Sequence, residues 1–154
     1  MSAETDKYLI FSILSESYGI PIIKVREIIR HEKITPVRKS LDYIKGVINL
    51  RGKIIPVLDL RSKFGLPEVE YTDMTVFIIV DINGKSGVYN LGIAVDAVHE
   101  VVNIANEDLE DTPRLGLKMK SQYLLGIARM RDEMAMILNL DSIISADEII
   151  SLTE

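Results

Sequence analysis

Apolar residues in this chain gather in short runs rather than at sustained helical spacing. Tyr8-Leu9-Ile10-Phe11-Ser12-Ile13, Val47–Leu50, Ile54–Leu58, Thr75–Ile82 and Ala135–Leu138 are crowded with β-branched and aromatic residues and bounded by Gly, Asn and Asp. That pattern predicts short strands. Ile82-Asn83-Gly84-Lys85 predicts a hairpin, because Asn-Gly accepts the positive φ of a type I′ turn, and Gly87 would lengthen its loop. Helical signals are brief. Asp59 can cap Leu60–Phe64, which Gly65 and Pro67 stop, and the tail Asp141–Leu152 carries Ser145-x-x-Glu148 as a capping box. The acidic stretch Pro67-Glu68-Val69-Glu70-Tyr71-Thr72-Asp73, near the midpoint, is the expected linker.

The pattern occurs twice. Gly19-Ile20-Pro21-Ile22-Ile23-Lys24-Val25-Arg26-Glu27-Ile28-Ile29 aligns without gaps on Gly92-Ile93-Ala94-Val95-Asp96-Ala97-Val98-His99-Glu100-Val101-Val102. Both copies then reach a Thr-Pro, Thr35-Pro36 and Thr112-Pro113. Tyr43-Ile44-Lys45-Gly46-Val47-Ile48-Asn49-Leu50-Arg51-Gly52 aligns on Tyr123-Leu124-Leu125-Gly126-Ile127-Ala128-Arg129-Met130-Arg131-Asp132, and Val57-Leu58-Asp59-Leu60 on Ile137-Leu138-Asn139-Leu140. Tyr8-Leu9-Ile10 matches Phe77-Ile78-Ile79. Ile22, Val25 and Ile28, like Val95, Val98 and Val101, would line one stripe of a short helical stretch. Each copy thus supplies about five short strands and one short helix. Five curling antiparallel strands close most easily as a small barrel, which removes exposed edges. The expectation is one domain over 1–154, with a first barrel at about 7–70 and a second at about 71–150. The two would share an apolar interface and a pseudo-twofold axis that brings Ile22 onto Val95 and Val57 onto Ile137. Deeply buried positions should come largely from Val57, Leu58, Val76, Ile78, Val80, Ile93 and Val95.

Composition narrows the functions available. The chain has 154 residues, 47% of them apolar, so it can build a core without a partner. Cysteine is absent, which removes disulfides, thiolate nucleophiles and thiolate-bound metals together and suits a reducing compartment. The start, Met1 to Lys7, is polar and acidic, unlike a signal peptide. The longest apolar run, Val76 to Val80, is of strand length, far short of the ~20 residues of a membrane-spanning helix. A formal net charge of -5 with no Trp and 3 Phe argues against nucleic-acid binding, which needs a basic, aromatic-bearing face. The 2 histidines, His31 and His99, lack partners at metal-ligand spacing, and no nucleophile elbow or phosphate loop is present. No catalytic residue, cofactor or metal is expected. An enzyme or small-molecule sensor built on an inter-barrel groove is the weaker alternative.

Two charged residues stand out. Glu27 lies within Val25-Arg26-Glu27-Ile28-Ile29, and Arg51 within Val47-Ile48-Asn49-Leu50-Arg51-Gly52-Lys53-Ile54-Ile55. A charge flanked by apolar residues either points to water or finds a partner. The sharper reading pairs Glu27 with Arg51 beside an apolar groove, with Gly52 making the turn tight.

The run Gly46-Val47-Ile48-Asn49-Leu50-Arg51-Gly52-Lys53-Ile54-Ile55-Pro56-Val57-Leu58-Asp59-Leu60-Arg61 closely resembles the signature of the CheW family of bacterial chemotaxis coupling proteins. Val25-Arg26-Glu27-Ile28 and Val95-Asp96-Ala97-Val98 resemble that family's other motifs, and the likeness runs from about Tyr8 to Ile144. It implies a mainly β fold of two five-stranded SH3-like β-barrels with a few short helices. It also implies a non-catalytic cytoplasmic adaptor at receptor arrays on the inner face of the membrane, without direct membrane insertion. Its partners would be the cytoplasmic tips of methyl-accepting chemoreceptors and the regulatory domain of the histidine kinase CheA. By the same likeness, receptor tips would dock in the groove between barrels near Val25, Glu27, Ile28, Asn49, Leu50, Arg51 and Val98. The kinase would meet the end of one barrel at Lys45 and Gly46. The departure of Arg129-Met130-Arg131-Asp132 from Asn49-Leu50-Arg51-Gly52 implies that the barrels carry unequal sites. A chain that starts at Met1 and leaves no room for a kinase or receiver module is expected to be the stand-alone coupler.

Overall fold

Among the described residues, alternating and doubly apolar runs fold into eleven strands: β1 (Thr5–Ile13), β2 (Glu16–Pro21), β3 (Val25–Arg30), β4 (Ile44–Leu50), β5 (Lys53–Leu58), β6 (Val76–Gly84), β7 (Gly87–Val95), β8 (Ala97–Ala105), β9 (Leu109–Glu110), β10 (Leu124–Met130) and β11 (Glu133–Leu138). Two one-turn helices, α1 (Arg61–Phe64) and α2 (Leu140–Ile143), follow β5 and β11. The computed structural model describes residues 5–37, 42–110, 121–130 and 132–145. Thr112-Pro113, Arg131 and the Glu148 of the expected tail helix lie outside them; within them α2 ends at Ile143.

The strands form two sheets, ordered β8-β1-β2-β11-β10-β9 and β3-β6-β7-β5-β4. Under the sequence repeat the two orders are the same, apart from β9. Where β9 pairs with β10, the second sheet has the isolated bridge Thr35↔Val47. The register agrees in detail. Val57 pairs with Gly46 and, in parallel, with Gly92, whereas Ile137 pairs with Gly126 and, in parallel, with Gly19. Val57 and Ile137 therefore occupy corresponding places. Ile22 and Val95 do not share an element, since Ile22 opens a single 3-10 turn, Ile22–Lys24, and Val95 ends β7.

The barrels do not follow the chain halves. The second barrel, β3 to β7, is contiguous over residues 25–95, and the first is assembled from β1–β2 and β8–β11. The expected boundary near residue 70 falls inside the contiguous barrel. After β2 the turn at Ile22–Lys24 carries the chain away from its hairpin partner, and β3 pairs with β6. After β7 the chain returns at Asp96, and β8 pairs with β1. That turn also replaces the expected helical stripe. Val25 and Ile28 lie on a strand with a register shift between Val25 and Glu27, and Ile28 is 45% exposed.

Burial explains why β1 and β6 read as continuous apolar runs. Leu9, Phe11 and Ile13 face a core shared by both barrels, together with Ile78, Val80, Ile82, Leu91, Ile93 and Val95. Tyr8 and Ile10 fill the first barrel, and Phe77 and Ile79 the second. Strands covered on both faces lose the polar alternation of half-exposed ones. Of the expected core positions, Val57, Leu58, Ile78, Val80, Ile93 and Val95 are fully buried, and Val76 is half-buried against the shared core. The core also draws on β1 and on Leu140, Ile143 and Ile144 of the C-terminal part. The expected hairpin forms between β6 and β7, but its ladder runs through Asn83↔Val88 to Gly84↔Gly87, so its apex is Lys85-Ser86 rather than Asn83-Gly84.

Candidate functional site

Strands β4 and β5 form a hairpin whose last ladder pair is Leu50↔Lys53, leaving Arg51 and Gly52 as a two-residue turn. Their φ angles are 51° and 85°. Two successive left-handed residues make the type I′ turn that matches strand twist. Gly52 enters that region freely, whereas Arg51 carries a Cβ there, at a cost of roughly 1–2 kcal/mol. Asn49 Oδ1 accepts the Gly52 N–H at 2.9 Å.

The Arg51 guanidinium reaches Glu27 on β3. One nitrogen, Nη2, donates to both carboxylate oxygens at 2.6 and 2.7 Å. The contact therefore uses one prong of the planar fork and leaves the other guanidinium N–H groups for a partner. Strands β3 and β4 are opposite edges of the second sheet, so this ion pair also bridges the seam of the barrel. Arg51 is 71% exposed and Glu27 28%, which limits the pair to about 0–1 kcal/mol of stability. Beside it opens a cleft of about 250 Å³ lined by Arg26, Leu50, Lys53, Ile55, Ile79 and Asn90, all of the second barrel.

The residues expected to act together divide into two sets. Glu27, Leu50 and Arg51 share this cleft, with Asn49 behind the turn. Val25 and Val98 are half-buried against the shared core between the barrels, and Leu50 instead packs on the interior of the second barrel. Lys45 Nζ bonds Glu68 at 2.8 Å, so the expected linker folds back onto the barrel. Gly46 is buried, and a Cβ there would overlap the Thr35 carbonyl and lie 2.6 Å from Ile34 Cγ2. Close strand approach accounts for this glycine.

The corresponding end of the first barrel differs in charge. Among the described residues its cleft, about 530 Å³, is lined by Glu100, Asp108, Asp132 and Glu133, with Arg129 as a basic residue. Glu100 is the repeat partner of Glu27; Arg129, the repeat partner of Asn49, pairs with Glu110, and Arg131, that of Arg51, lies outside the described residues.

Sequence reasoning missed a buried polar cluster on the other side of β5. Arg61 Nη1 donates to both Asp59 oxygens at 3.2 and 3.1 Å, and the Arg61 N–H bonds Asp59 Oδ1; the N-cap of α1 is Leu60 rather than the expected Asp59, which holds the first helical N–H from one residue further out. Arg61 Nη2 bonds Asp96 Oδ1, and Asp96 Oδ2 accepts the Leu14 N–H at 2.7 Å. Asp96 thereby ties the β1–β2 turn of the first barrel to α1 at the end of the second. Tyr71 donates to Asp59 Oδ2 at 2.7 Å. Burial, then the Asp59 carboxylate, pushes the Tyr71 phenol well above its usual range. One signal was available: Asp59 and Arg61, opposite charges two residues apart, alternate with the buried Leu58 and Leu60.

His31 packs against the rings of Tyr71 and Phe77, and His99 is exposed. Among the described residues no group of three His, Asp or Glu could hold a metal ion, and no helix is long and apolar enough to cross a membrane.

Residues 7–148 match the family model described as the CheW-like domain. The chain belongs to the CheW-like family. The chemotaxis protein CheW of Klebsiella aerogenes is 34% identical over 142 residues, covering 92% of this chain and 83% of the relative. CheW of Rhizobium meliloti is 29% identical over 138 residues, 90% and 86% of the two chains. Among solved structures, the scaffolding protein TtCheW of Thermoanaerobacter tengcongensis superposes with a TM-score of 0.80 at 34% identity, covering 96% of this chain and 92% of that one. CheW proteins are scaffold and adaptor proteins of chemotaxis rather than enzymes, and two SH3-like barrels with short helices are the CheW-like fold.

Proposed function

We propose that this CheW-like protein couples the cytoplasmic tips of chemoreceptors to the regulatory domain of the histidine kinase CheA, in arrays on the inner face of the membrane. The observation that carries the receptor side is the Glu27–Arg51 pair at an exposed, left-handed hairpin apex beside an apolar-floored cleft. An arginine so held contributes little to stability, keeps N–H groups free, and suits a partner carboxylate approached along an apolar stripe. The receptor surface comprises Glu27, Leu50 and Arg51, flanked by Ile28, Asn49, Val25 and Val98. For the kinase, the proposed surface is the end of the second barrel around Lys45, beside the buried Gly46.

The test is Arg51→Ala, assayed separately for folding, receptor-tip binding and kinase binding. The expected result is a folded protein with intact kinase binding and strongly weakened receptor binding. Normal receptor binding would refute the assignment, and loss of kinase binding alone would reverse the two surfaces.

A further inference from the structure

We infer that Asn49 is a positioning residue: its side-chain amide latches the Arg51-Gly52 turn and so aims the Arg51 guanidinium, without itself meeting the partner. The inference rests on the receptor reading of Arg51 above and assigns Asn49 a different task from its neighbours. Three residues other than glycine have left-handed φ among the described residues: Leu14, Ser15 and Arg51. They lie in two hairpin turns, and in each turn a side-chain oxygen holds a backbone N–H. Asp96 Oδ2 holds Leu14, and Asn49 Oδ1 holds Gly52 at 2.9 Å. A turn whose first central residue disfavours the left-handed region needs such support to stay in one conformation.

The repeat supplies an internal control. In the β10–β11 hairpin the position of Asn49 is taken by Arg129, which has no acceptor and instead donates to Glu110 at 3.3 Å. Arg129 therefore cannot make the contact that Asn49 makes in the hairpin whose arginine pairs with Glu27. Asn49 is exposed and three residues from the N–H it holds, so an unlatched turn could rehydrate with the barrel intact. What would be lost is the fixed direction of Arg51.

Three variants of the full chain test this: Asn49→Ala, Asn49→Asp, and Asn49→Ala combined with Arg51→Ala. Aspartate keeps the acceptor oxygen, and alanine removes it. The probe is a soluble chemoreceptor cytoplasmic-tip fragment, and the independent readout is exchange of the Gly52 amide proton. The expected result for Asn49→Ala is faster Gly52 exchange and about tenfold weaker tip binding, at an unchanged unfolding midpoint. Asn49→Asp should restore both. In the double variant, Asn49→Ala should add nothing to the loss caused by Arg51→Ala. Aspartate binding as weakly as alanine would mean that Asn49 touches the partner, and additive losses would mean that the residues act separately. Either result overturns the inference, as does slow Gly52 exchange in Asn49→Ala. If Arg51→Ala itself binds the tip normally, the receptor reading fails, and the Gly52 exchange of Asn49→Ala against Asn49→Asp still decides whether the latch exists.

Discussion

Arg51 precedes strand β5 and Arg61 follows it, yet Arg51 is 71% exposed and Arg61 1%. Arg51 meets one carboxylate through one nitrogen and holds strained backbone at a hairpin apex. Arg61 meets two carboxylates, is enclosed by the shared core, and joins the two barrels through Asp96. A buried charge is tolerable when nearly every donor is matched, and here Nε alone of the guanidinium nitrogens lacks a partner. The difference separates two uses of one side chain. Arg61 fixes how the barrels sit together, and Arg51 is kept available at their surface.

Substitutions can break that contrast. Arg61→Ala, which strands the Asp59 carboxylate in the core, should cost ~3–5 kcal/mol in denaturant unfolding; a loss near zero would show that water reaches the cluster. Asp96→Ala removes the acceptor of Leu14 and half of the Arg61 pairing, and ~1–3 kcal/mol is expected in the same assay. The buried phenol of Tyr71 sharpens the comparison by pH. Its folded pKa lies above the unfolded value of about 10, so its stabilising contribution is complete below that pH and is lost as pH rises beyond it. Unfolding midpoints measured across alkaline pH should therefore fall less steeply for Tyr71→Phe than for the parent. Arg51→Ala should give the smallest change, ~0–1 kcal/mol. A larger value would place Arg51 among the residues that hold the barrel closed.

Alternating apolar runs made the strands legible, and gapless repeats made the two barrels legible, down to the equivalence of Val57 and Ile137. The exchange of strands was not, because pairing across the repeat depends on where the chain turns after Pro21 and at Asp96, and neither point has a glycine or an Asn-Gly signal. The period-three spacing of Ile22, Val25 and Ile28 came from a 3-10 turn running into a bulged strand, which counts residues as a short helix does. At the site, Glu27 with Arg51 could be read from two charges in apolar surroundings, whereas the left-handed backbone of Arg51 could not, since arginine has no preference for it. The Arg61 cluster was hidden in a similar way. Asp96 aligns with Ile23 in the repeat, and this exchange of a charge for an apolar residue is the mark by which the inter-barrel tie could have been found.

The nesting of one barrel inside the other has a consequence for synthesis on the ribosome. The barrel of residues 25–95 is complete in sequence once its last strand emerges, and its pairings are all internal. The β1–β2 hairpin is made first, but its neighbours β8 and β11 come much later; β11 starts more than 100 residues after β2 ends. At ordinary elongation rates that interval is roughly 5–20 s, and a two-stranded hairpin alone is marginal in water. The earliest-made part of the chain therefore finishes folding last, and slowing translation between Val95 and Glu133 should lengthen the time for which β1 and β2 are open to proteases.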